Sequence, residues 1–337
     1  MAFPTDQTVS RIGQKNGAGD ARSLFLKLYA GEVLTAFEEK NIFMALHRVR
    51  SISNGKSAQF PMTGTASAKY HTPGALIEGD IIKKGERTVT VDDLLISTQF
   101  IANIDEAMTH FDVRSIYSSE AGQALANAAD KNVARMVAKA AMITDGASAA
   151  AAGLETFDGE VFTSNVAVAN AAASGNDIVA AIYGALEEFD KKDITGEKVC
   201  VLGPQEYYKL FGAGQAVGNL GYMNRDIGGT GSIATATVPV IGGVRILMSN
   251  HLPSGDESVT SATPEPLSRP TQYKGDYSTL KGVIFSGDAA ATVKLMDLGV
   301  ESEYQIDRQG TLMVAKYAMG HNILRPACAV ALTAAVV

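Results

Sequence analysis

Residues 57–64 read Ser-Ala-Gln-Phe-Pro-Met-Thr-Gly, and residues 87–92 read Arg-Thr-Val-Thr-Val-Asp. In both stretches β-branched and apolar residues alternate with polar ones, which predicts two strands. The connection between them is long, polar and interrupted by glycines. A two-stranded hairpin of this kind is only marginally stable by itself. We therefore expect it to lie on another part of this chain or on a neighbouring subunit.

A long amphipathic helix is predicted after the hairpin, from about residue 104 to residue 142. Apolar residues recur at helical spacing throughout this range and form one stripe. Asn103 is a suitable N-cap residue, and Glu106 stands three positions later, where a capping-box acid is favoured. At 1.5 Å per residue the helix would be about 58 Å long, which suggests an elongated molecule. Gly122 is a position where it could be interrupted or kinked.

The rest of the chain alternates between short elements and glycine- or proline-rich connections. Residues 1–21 are predicted to form a mobile arm, followed by an amphipathic helix at 24–37. Further helices are predicted at 178–189 and 205–211, the second after Pro204. Strands are predicted at 198–202, 283–285, 292–298, 312–319 and 329–337, and a pair of strands around Gly242-Gly243 is predicted at 238–248. Composition predicts loops at 143–176, 212–231 and 253–281.

Composition excludes several classes of protein. The 337 residues predict about two domains, and 46% hydrophobic residues can form a sizeable core. Two cysteines are too few for a disulfide scaffold or a multi-cysteine metal site. The net charge of −7 argues against the whole chain binding nucleic acid, although it leaves room for a local basic patch. No secretory signal is visible, and the longest apolar run is about half of a bilayer helix. We expect a soluble protein in a reducing compartment.

Two glycine-containing motifs partly match nucleotide-binding sites. Gly55-Lys56-Ser57 resembles the end of a phosphate-binding loop, but Arg50 stands where that motif needs a glycine. A strand, not a helix, follows, so a plain turn is favoured. The glycines at 228–231 lack the spacing of a dinucleotide fingerprint, so a flexible loop is favoured there.

Titratable residues form no catalytic constellation in the sequence. The five histidines have no zinc spacing. Cys200 and Cys328 lie in stretches predicted as strands and are expected to be buried and unreactive. The acidic residues at 187, 188 and 190 could pair as acid and base, but they fit a solvated helix face better. We expect neither enzyme activity nor a metal or cofactor.

Basic residues gather in and before the hairpin. The acidic residues that stand against them there are Glu78, Asp80, Glu86, Asp92 and Asp93. Ordinary solvated charge and complementarity with an acidic neighbouring copy explain this cluster equally well. The candidate subunit-contact residues are Arg48, Arg50, Lys56, Lys69, Lys83, Lys84, Arg87 and, in the long helix, Arg114.

The order of these parts is similar to the Hong-Kong-97-type capsid fold of tailed phages. Particular strings also resemble the major capsid proteins of T7-like short-tailed phages. They include Gly55-Lys56-Ser57-Ala58-Gln59-Phe60-Pro61, His110-Phe111-Asp112-Val113-Arg114-Ser115 and Ala315-Lys316-Tyr317-Ala318-Met319-Gly320-His321. The similarity covers about residues 22–135 and 283–327, and it is much weaker over 143–275.

The resemblance implies an α+β fold with four parts. These are an N-terminal arm at 1–55, an extended β-hairpin (the E-loop) at 56–98, a peripheral domain with the spine helix at 99–145 and 291–326, and an axial domain at 146–290 and 327–337.

The resemblance also implies a function. Copies would form pentamers and hexamers that close into an icosahedral shell around double-stranded DNA, with which contact would be weak and non-specific. The implied partners are further copies of the chain, a scaffolding protein and a portal, with no membrane. Assembly would occur in the host bacterial cytoplasm, and the final location would be the capsid shell of the virion.

Two other functions stay open on the sequence. Another virion structural component would share the environment of a shell protein. A soluble α/β enzyme is less favoured, because it would need a pocket with convergent titratable groups. Hollow particles of megadalton size would favour the shell, and a monodisperse dimer with turnover would favour the enzyme.

Overall fold

The computed structural model describes residues 42–104 (except 65, 67, 75, 78 and 80), 113–156, 160–168, 175–210, 240–258 and 270–334. The predicted arm at 1–21, the predicted helix at 24–37, the 212–231 connection and the capping residue Glu106 lie outside these residues. The chain divides into two compact units. The first contains Asp93–Ala129 and Leu295–Met319. The second contains Ile42–Asp92, Asp130–Lys294 and the residues from Gly320 onward.

The described helices are α1 (Val113–Met142), α2 (Gly146–Ala151), α3 (Gly175–Lys191) and α4 (Pro204–Lys209). The strands before α4 are β1 (Arg48–Ser51), β2 (Ser57–Thr63), β3 (Lys84–Thr90), β4 (Leu95–Ala102), β5 (Val166–Val168) and β6 (Lys198–Leu202). Those after it are β7 (Val240–Ile241), β8 (Val244–Met248), β9 (Leu280–Ser286), β10 (Ala290–Gln305), β11 (Gly310–Ile323) and β12 (Ala329–Ala334).

The second unit is built on a six-stranded sheet with the order β5-β12-β9-β6-β8-β7. β12 runs parallel to β5 and antiparallel to β9, and β9 runs antiparallel to β6. β6 and β8 are parallel, with Val199 opposite Arg245. The hairpin strands β2 and β3 form a separate two-stranded sheet in the same unit.

Apolar side chains bury both faces of the six-stranded sheet. Along β9, Val283 and Phe285 belong to one core cluster, and Ile284 belongs to the other. β6 and β12 alternate in the same way, because successive side chains of a strand point to opposite faces. The first cluster includes Met136 of α1, and the second includes Ile182 of α3. A sheet covered on both faces needs strands that are apolar throughout, which is the pattern that predicted β6 and β9.

The first unit contains β4 paired with β11 in antiparallel fashion, from Ala102 opposite Gly310 to Leu95 opposite Tyr317. They are part of a four-stranded sheet with the order β1-β10-β11-β4. A side chain at Gly310 would overlap the Phe100 ring and the carbonyl group of Ile101. Only glycine therefore fits at the start of β11.

Three sequence predictions need correction. The loop predicted at 143–176 contains α2, β5 and the start of α3. Asp145 and Ser148 form a capping box at α2, with the Ser148 N–H donating to the Asp145 carboxylate at 2.6 Å. Alanine then favours the helix. The surface loop predicted at 253–281 is wrong over its described second half, where two tyrosines are fully buried. Cys328 lies in a 3₁₀ turn just before β12, not in the strand.

Candidate subunit-contact surfaces

The hairpin base, defined here as β2 and β3, has one face buried within its own chain. The two strands pair from Ser57 opposite Thr90 to Thr63 opposite Lys84. Ala58, Met62 and Val89 are buried, while their neighbours along each strand are exposed. The base of the hairpin therefore lies on another part of this chain, which was one of the two predicted alternatives.

Arg87 was predicted as a subunit-contact residue, but in the structure its side chain is buried inside the protomer. Its guanidinium group is buried, donates to the carbonyl oxygen of Glu155 and forms an ion pair with Glu160, which is also buried. This positive charge is neutralised inside the protomer. The alternation along β3 already contained the signal, because Arg87 is two residues from Val89 and so shares its inward face. Its partner is 73 residues away and could not be read from the pattern.

Strand β11 contacts β3 of the hairpin base. The side-chain amide of Asn322 donates to the carbonyl oxygen of Thr88 at 3.0 Å. At Gly320, a Cβ atom would overlap the carbonyl oxygen of Thr90. This close approach of two backbones requires glycine at position 320.

The hairpin tip, defined here as residues 64–83, carries apolar side chains that face solvent. Among its described residues, the large hydrophobic side chains that are at least 55% exposed are Tyr70, Leu76, Ile77, Ile81 and Ile82. Soluble monomers rarely expose a run of large aliphatic residues of this kind, and such a run marks an interaction surface.

The basic candidates separate into two groups. Arg48 forms an ion pair with Asp288 at 2.5 Å, and Arg50 donates to the carbonyl oxygen of Gln59 and lies over the Phe60 ring. These two arginines join β1 to neighbouring segments of the same chain. The exposed candidates on or beside the hairpin are Lys56, Lys69, Lys83 and Lys84. Arg114 lies in the first turn of α1, and its side chain is outside the described residues.

The structure describes the other residues that the sequence offered as chemical candidates: the Gly55-Lys56-Ser57 motif, the two cysteines and the acidic residues of α3. Lys56 immediately precedes β2, and its carbonyl oxygen accepts the N–H of Val91 at 2.7 Å, so this segment continues the pairing of the hairpin strands. Burial raises the pKa of Cys200 to about 12 and also raises that of Cys328, so both thiols stay protonated at neutral pH. Glu187 pairs with Lys191 on the exposed face of α3.

A cavity of about 270 Å³ lies beside the hairpin base. It is lined by Met62, Glu160, Asp193, Arg325 and Cys328, among others. Over the part of the chain that the structure describes, no group of three His, Cys, Asp or Glu side chains could hold a metal ion. Within the same residues, none of the helices combines the length and apolarity needed to span a bilayer.

Comparison with known proteins places these features in a family. The chain matches the family described as "Gp10A-like: Major capsid protein" over residues 59–333. It is 32% identical to the major capsid protein of Escherichia phage T7 over 325 residues, which cover 93% of this chain and 92% of that protein. It is 30% identical to the major capsid protein of Enterobacteria phage T3, covering 94% and 93% of the two chains.

Solved structures agree with the sequence relatives. The capsid of cyanophage P-SCSP1u superposes with a TM-score of 0.72 at 39% identity, covering 98% of this chain and 100% of that chain. The mature capsid of bacteriophage PhiM1 shares the fold with a TM-score of 0.69 at 19% identity, covering 92% of each chain.

The matched region contains most of the hairpin base, its exposed tip, the six-stranded sheet up to residue 333 and three strands of the four-stranded sheet, β4, β10 and β11. The α+β phage-capsid fold that the resemblance implied is confirmed. The predicted function, that of a structural protein of the virion located in the capsid shell, is confirmed as well. The chain belongs to the Gp10A-like family of major capsid proteins.

Proposed function

We propose that this capsid protein closes its shell by placing the hairpin tip of each protomer on an adjoining copy, in rings of five and six subunits. The observation that carries the proposal is the set of large aliphatic side chains left in solvent at residues 64–83. Burial of each such side chain contributes roughly 1.5–3 kcal/mol, so docking of the tip is strongly favourable. Head-to-tail contacts of this kind generate closed rings.

The exposed lysines of the hairpin add an electrostatic component to this contact. Lys69 and Lys83 lie in the hairpin tip, Lys84 follows it and Lys56 precedes β2, and all four side chains are exposed, whereas the whole chain carries a net charge of −7. Acidic groups on a neighbouring copy would attract these lysines and so fix the orientation of the hairpin. Arg48, Arg50 and Arg87 contact Asp288, the Gln59 carbonyl oxygen and Glu160 in the same protomer, and their role in the proposal is to support the hairpin.

The parts of the chain have the following roles in this proposal. Residues 1–55 serve as the arm, and residues 56–98 serve as the hairpin that reaches the neighbour. Residues 99–145 and 291–326 form the peripheral domain, and residues 146–290 and 327–337 form the axial domain.

The proposed partners follow from the same role. A scaffolding protein and a portal guide assembly, and the packaged double-stranded DNA contacts the shell weakly. The acidic balance of the chain supports weak contact, because affinity for phosphates needs an excess of Lys and Arg. A structural role without catalysis is supported by two buried, protonated cysteines and by solvated acidic residues on α3.

Substitution of the tip tests the proposal. The double variant Ile81→Ser/Ile82→Ser removes two exposed aliphatic side chains without touching the buried face of the hairpin base. Expressed in bacteria with the assembly proteins of the same phage, it should give a folded protomer that forms few or no closed particles in sedimentation and electron microscopy. The matched control His71→Ser changes an exposed polar residue of the same tip and should assemble normally. Closed particles from the double variant in normal yield would refute the docking of the tip.

A further inference from the structure

A chain of hydrogen-bonded polar groups, most of them buried, runs through the second unit. His47, Thr292 and His321 form its centre. The Nε2 atom of His47 lies 2.5 Å from the Thr292 hydroxyl, and that hydroxyl lies 2.7 Å from Nδ1 of His321. Thr292 and His321 are at most 2% exposed. These groups come from the segment before β1, from β10 and from β11.

The carbonyl oxygen of Phe43 determines which groups donate and which accept in this centre. Nδ1 of His47 lies 2.7 Å from the carbonyl oxygen of Phe43, which can only accept. Nδ1 therefore carries the proton of the neutral ring, and Nε2 accepts from Thr292. The Thr292 hydroxyl in turn accepts from Nδ1–H of His321. Burial lowers the pKa of both histidines, which agrees with neutral rings.

One end of this series of hydrogen bonds reaches Asp92, two residues after the end of β3. The backbone N–H of His321 donates to the Tyr273 hydroxyl at 3.3 Å, and that hydroxyl donates to the carboxylate of Asp92. The side chain of Gln272 donates to the other carboxylate oxygen of Asp92 at 2.7 Å. The 3₁₀ turn Thr271–Tyr273 thus holds the exit of β3 through one carboxylate.

The other end fixes the 3₁₀ turn Phe43–Ala45. Besides the bond from His47 to Phe43, the carboxylate of Asp130 accepts the N–H groups of Ile42 and Met44 at 3.3 and 2.9 Å. Asp130 also pairs with His251 at 2.6 Å, and both side chains are fully buried. The Phe43 ring stacks on Phe285 with 5.8 Å between centroids.

We infer that this hydrogen-bonded chain mechanically couples the exit of the hairpin at Asp92 to the turn Phe43–Ala45, so that the two segments loosen together or stay fixed together. The inference concerns the protomer alone and does not depend on where the hairpin tip docks. The reason is that buried polar groups need hydrogen-bond partners. Loss of one hydrogen bond leaves a buried donor or acceptor without its partner and so disturbs the next hydrogen bond in the series.

Hydrogen exchange measured by mass spectrometry on the full chain tests the coupling. Thr292→Val keeps the shape of the side chain and removes the central hydroxyl. It should raise the exchange rates of residues 43–48 and of residues 84–92 together, by about tenfold for a loss on the order of 1.4 kcal/mol. Thr292→Ser, which restores a hydroxyl, should return both segments towards the wild-type rates.

The matched control is Thr163→Val, which makes the same change at another buried threonine of the same unit. The Thr163 hydroxyl donates to the carbonyl oxygen of Ala329 at 2.8 Å and is not part of the chain. This variant should affect residues near 329 and leave the two coupled segments unchanged. Faster exchange in only one segment of Thr292→Val, or equal acceleration of both segments in the control, would overturn the inference. If Thr292→Val does not fold, Tyr273→Phe removes the Asp92 link instead and should accelerate exchange at residues 43–48.

Discussion

The side chain of Asp130 joins α1 to two other segments of the second unit. It accepts two backbone N–H groups of the 42–44 segment and pairs with His251, in a site from which solvent is excluded. The low local dielectric makes each of these hydrogen bonds expensive to lose, because the donors left behind cannot reach water.

Replacement of Asp130 is therefore expected to be severe. Asp130→Ala leaves two partly buried amides and a buried imidazole without an acceptor, and it should lower the free energy of unfolding of the dissociated protomer by about 3–5 kcal/mol. Denaturant unfolding measures the loss. The control Asp190→Ala removes a carboxylate that is 77% exposed and should change the stability by no more than about 0.5 kcal/mol. Similar losses for the two variants would contradict the role assigned to Asp130.

His321 makes stability depend on pH. Burial, together with the nearby His47 and Lys294, lowers the pKa of His321 from its ordinary 6.5 to about 3, and the Tyr273 ring packs on the imidazole. Below pH 6.5 His321 binds a proton in the unfolded chain but stays neutral in the folded chain. The free energy of unfolding therefore falls as the pH falls. His47, whose pKa is also lowered by burial despite the nearby Asp130, acts in the same direction.

The expected slope for His321 is about 1.4 kcal/mol per pH unit once the pH is well below 6.5. Denaturant unfolding between pH 7 and pH 4 measures it. His321→Asn, whose side-chain amide can replace the Nδ1–H donor, should make this dependence shallower. His71→Asn changes a histidine that is exposed on the hairpin tip and should leave the slope as it is. An unchanged slope in His321→Asn would count against the buried, neutral imidazole.

Elements were predictable where their pattern is local. β6 and α3 follow from a short apolar run and from helical spacing, and the structure places them at nearly the predicted residues. α2 was missed because its start depends on one reciprocal pair, Asp145 with Ser148, in a stretch whose composition is typical of a loop. β5 was missed because three residues become a strand only by pairing with β12, which lies far away in sequence.

The hairpin also combines features that follow from local sequence with features that depend on distant residues. Its strands and their alternation were predicted from the sequence, but its supports were not. Glu160, Asn322 and Gly320 contact the hairpin base from sequence separations of more than 70 residues. No periodicity within 57–92 could identify these residues, because the contacts arise only when the chain folds.

Gly320 is expected to be intolerant of a side chain. Gly320→Ala places a Cβ atom into the backbone of Thr90 and Val91, so β11 and the hairpin base must move apart at a cost of roughly 1–3 kcal/mol. Thermal unfolding of the protomer and exchange at residues 84–92 measure the effect. Gly255→Ala adds the same methyl group where no atom lies within 4 Å and is the matched control. A Gly320→Ala protein as stable as this control would disprove the close approach.

Charge is distributed unevenly over the whole molecule. The chain has a net charge of −7, yet exposed lysines gather at the hairpin. In the contact proposed above, attraction between the hairpin lysines and acidic groups of a neighbouring copy would be screened by salt, whereas the apolar part of the contact would not. The rate of shell assembly should therefore fall as the salt concentration rises.

Removal of two of these lysines should weaken that salt dependence. Lys83→Gln/Lys84→Gln is expected to assemble more slowly than the wild type at low salt and at nearly the same rate at high salt, as followed by light scattering. Lys192→Gln removes an exposed charge outside the hairpin and serves as the control. Equal salt dependence in the double variant and the wild type would argue against an electrostatic contribution of the hairpin.

The position of β12 has a consequence for biosynthesis. This strand comes after every other strand of the six-stranded sheet in sequence, yet it lies between β5 and β9. A nascent polypeptide on the ribosome cannot complete the sheet until residue 334 has been translated, and until then β5 lacks its hydrogen-bonding partner. Chains that terminate early are thus left with open sheet edges and an incomplete core.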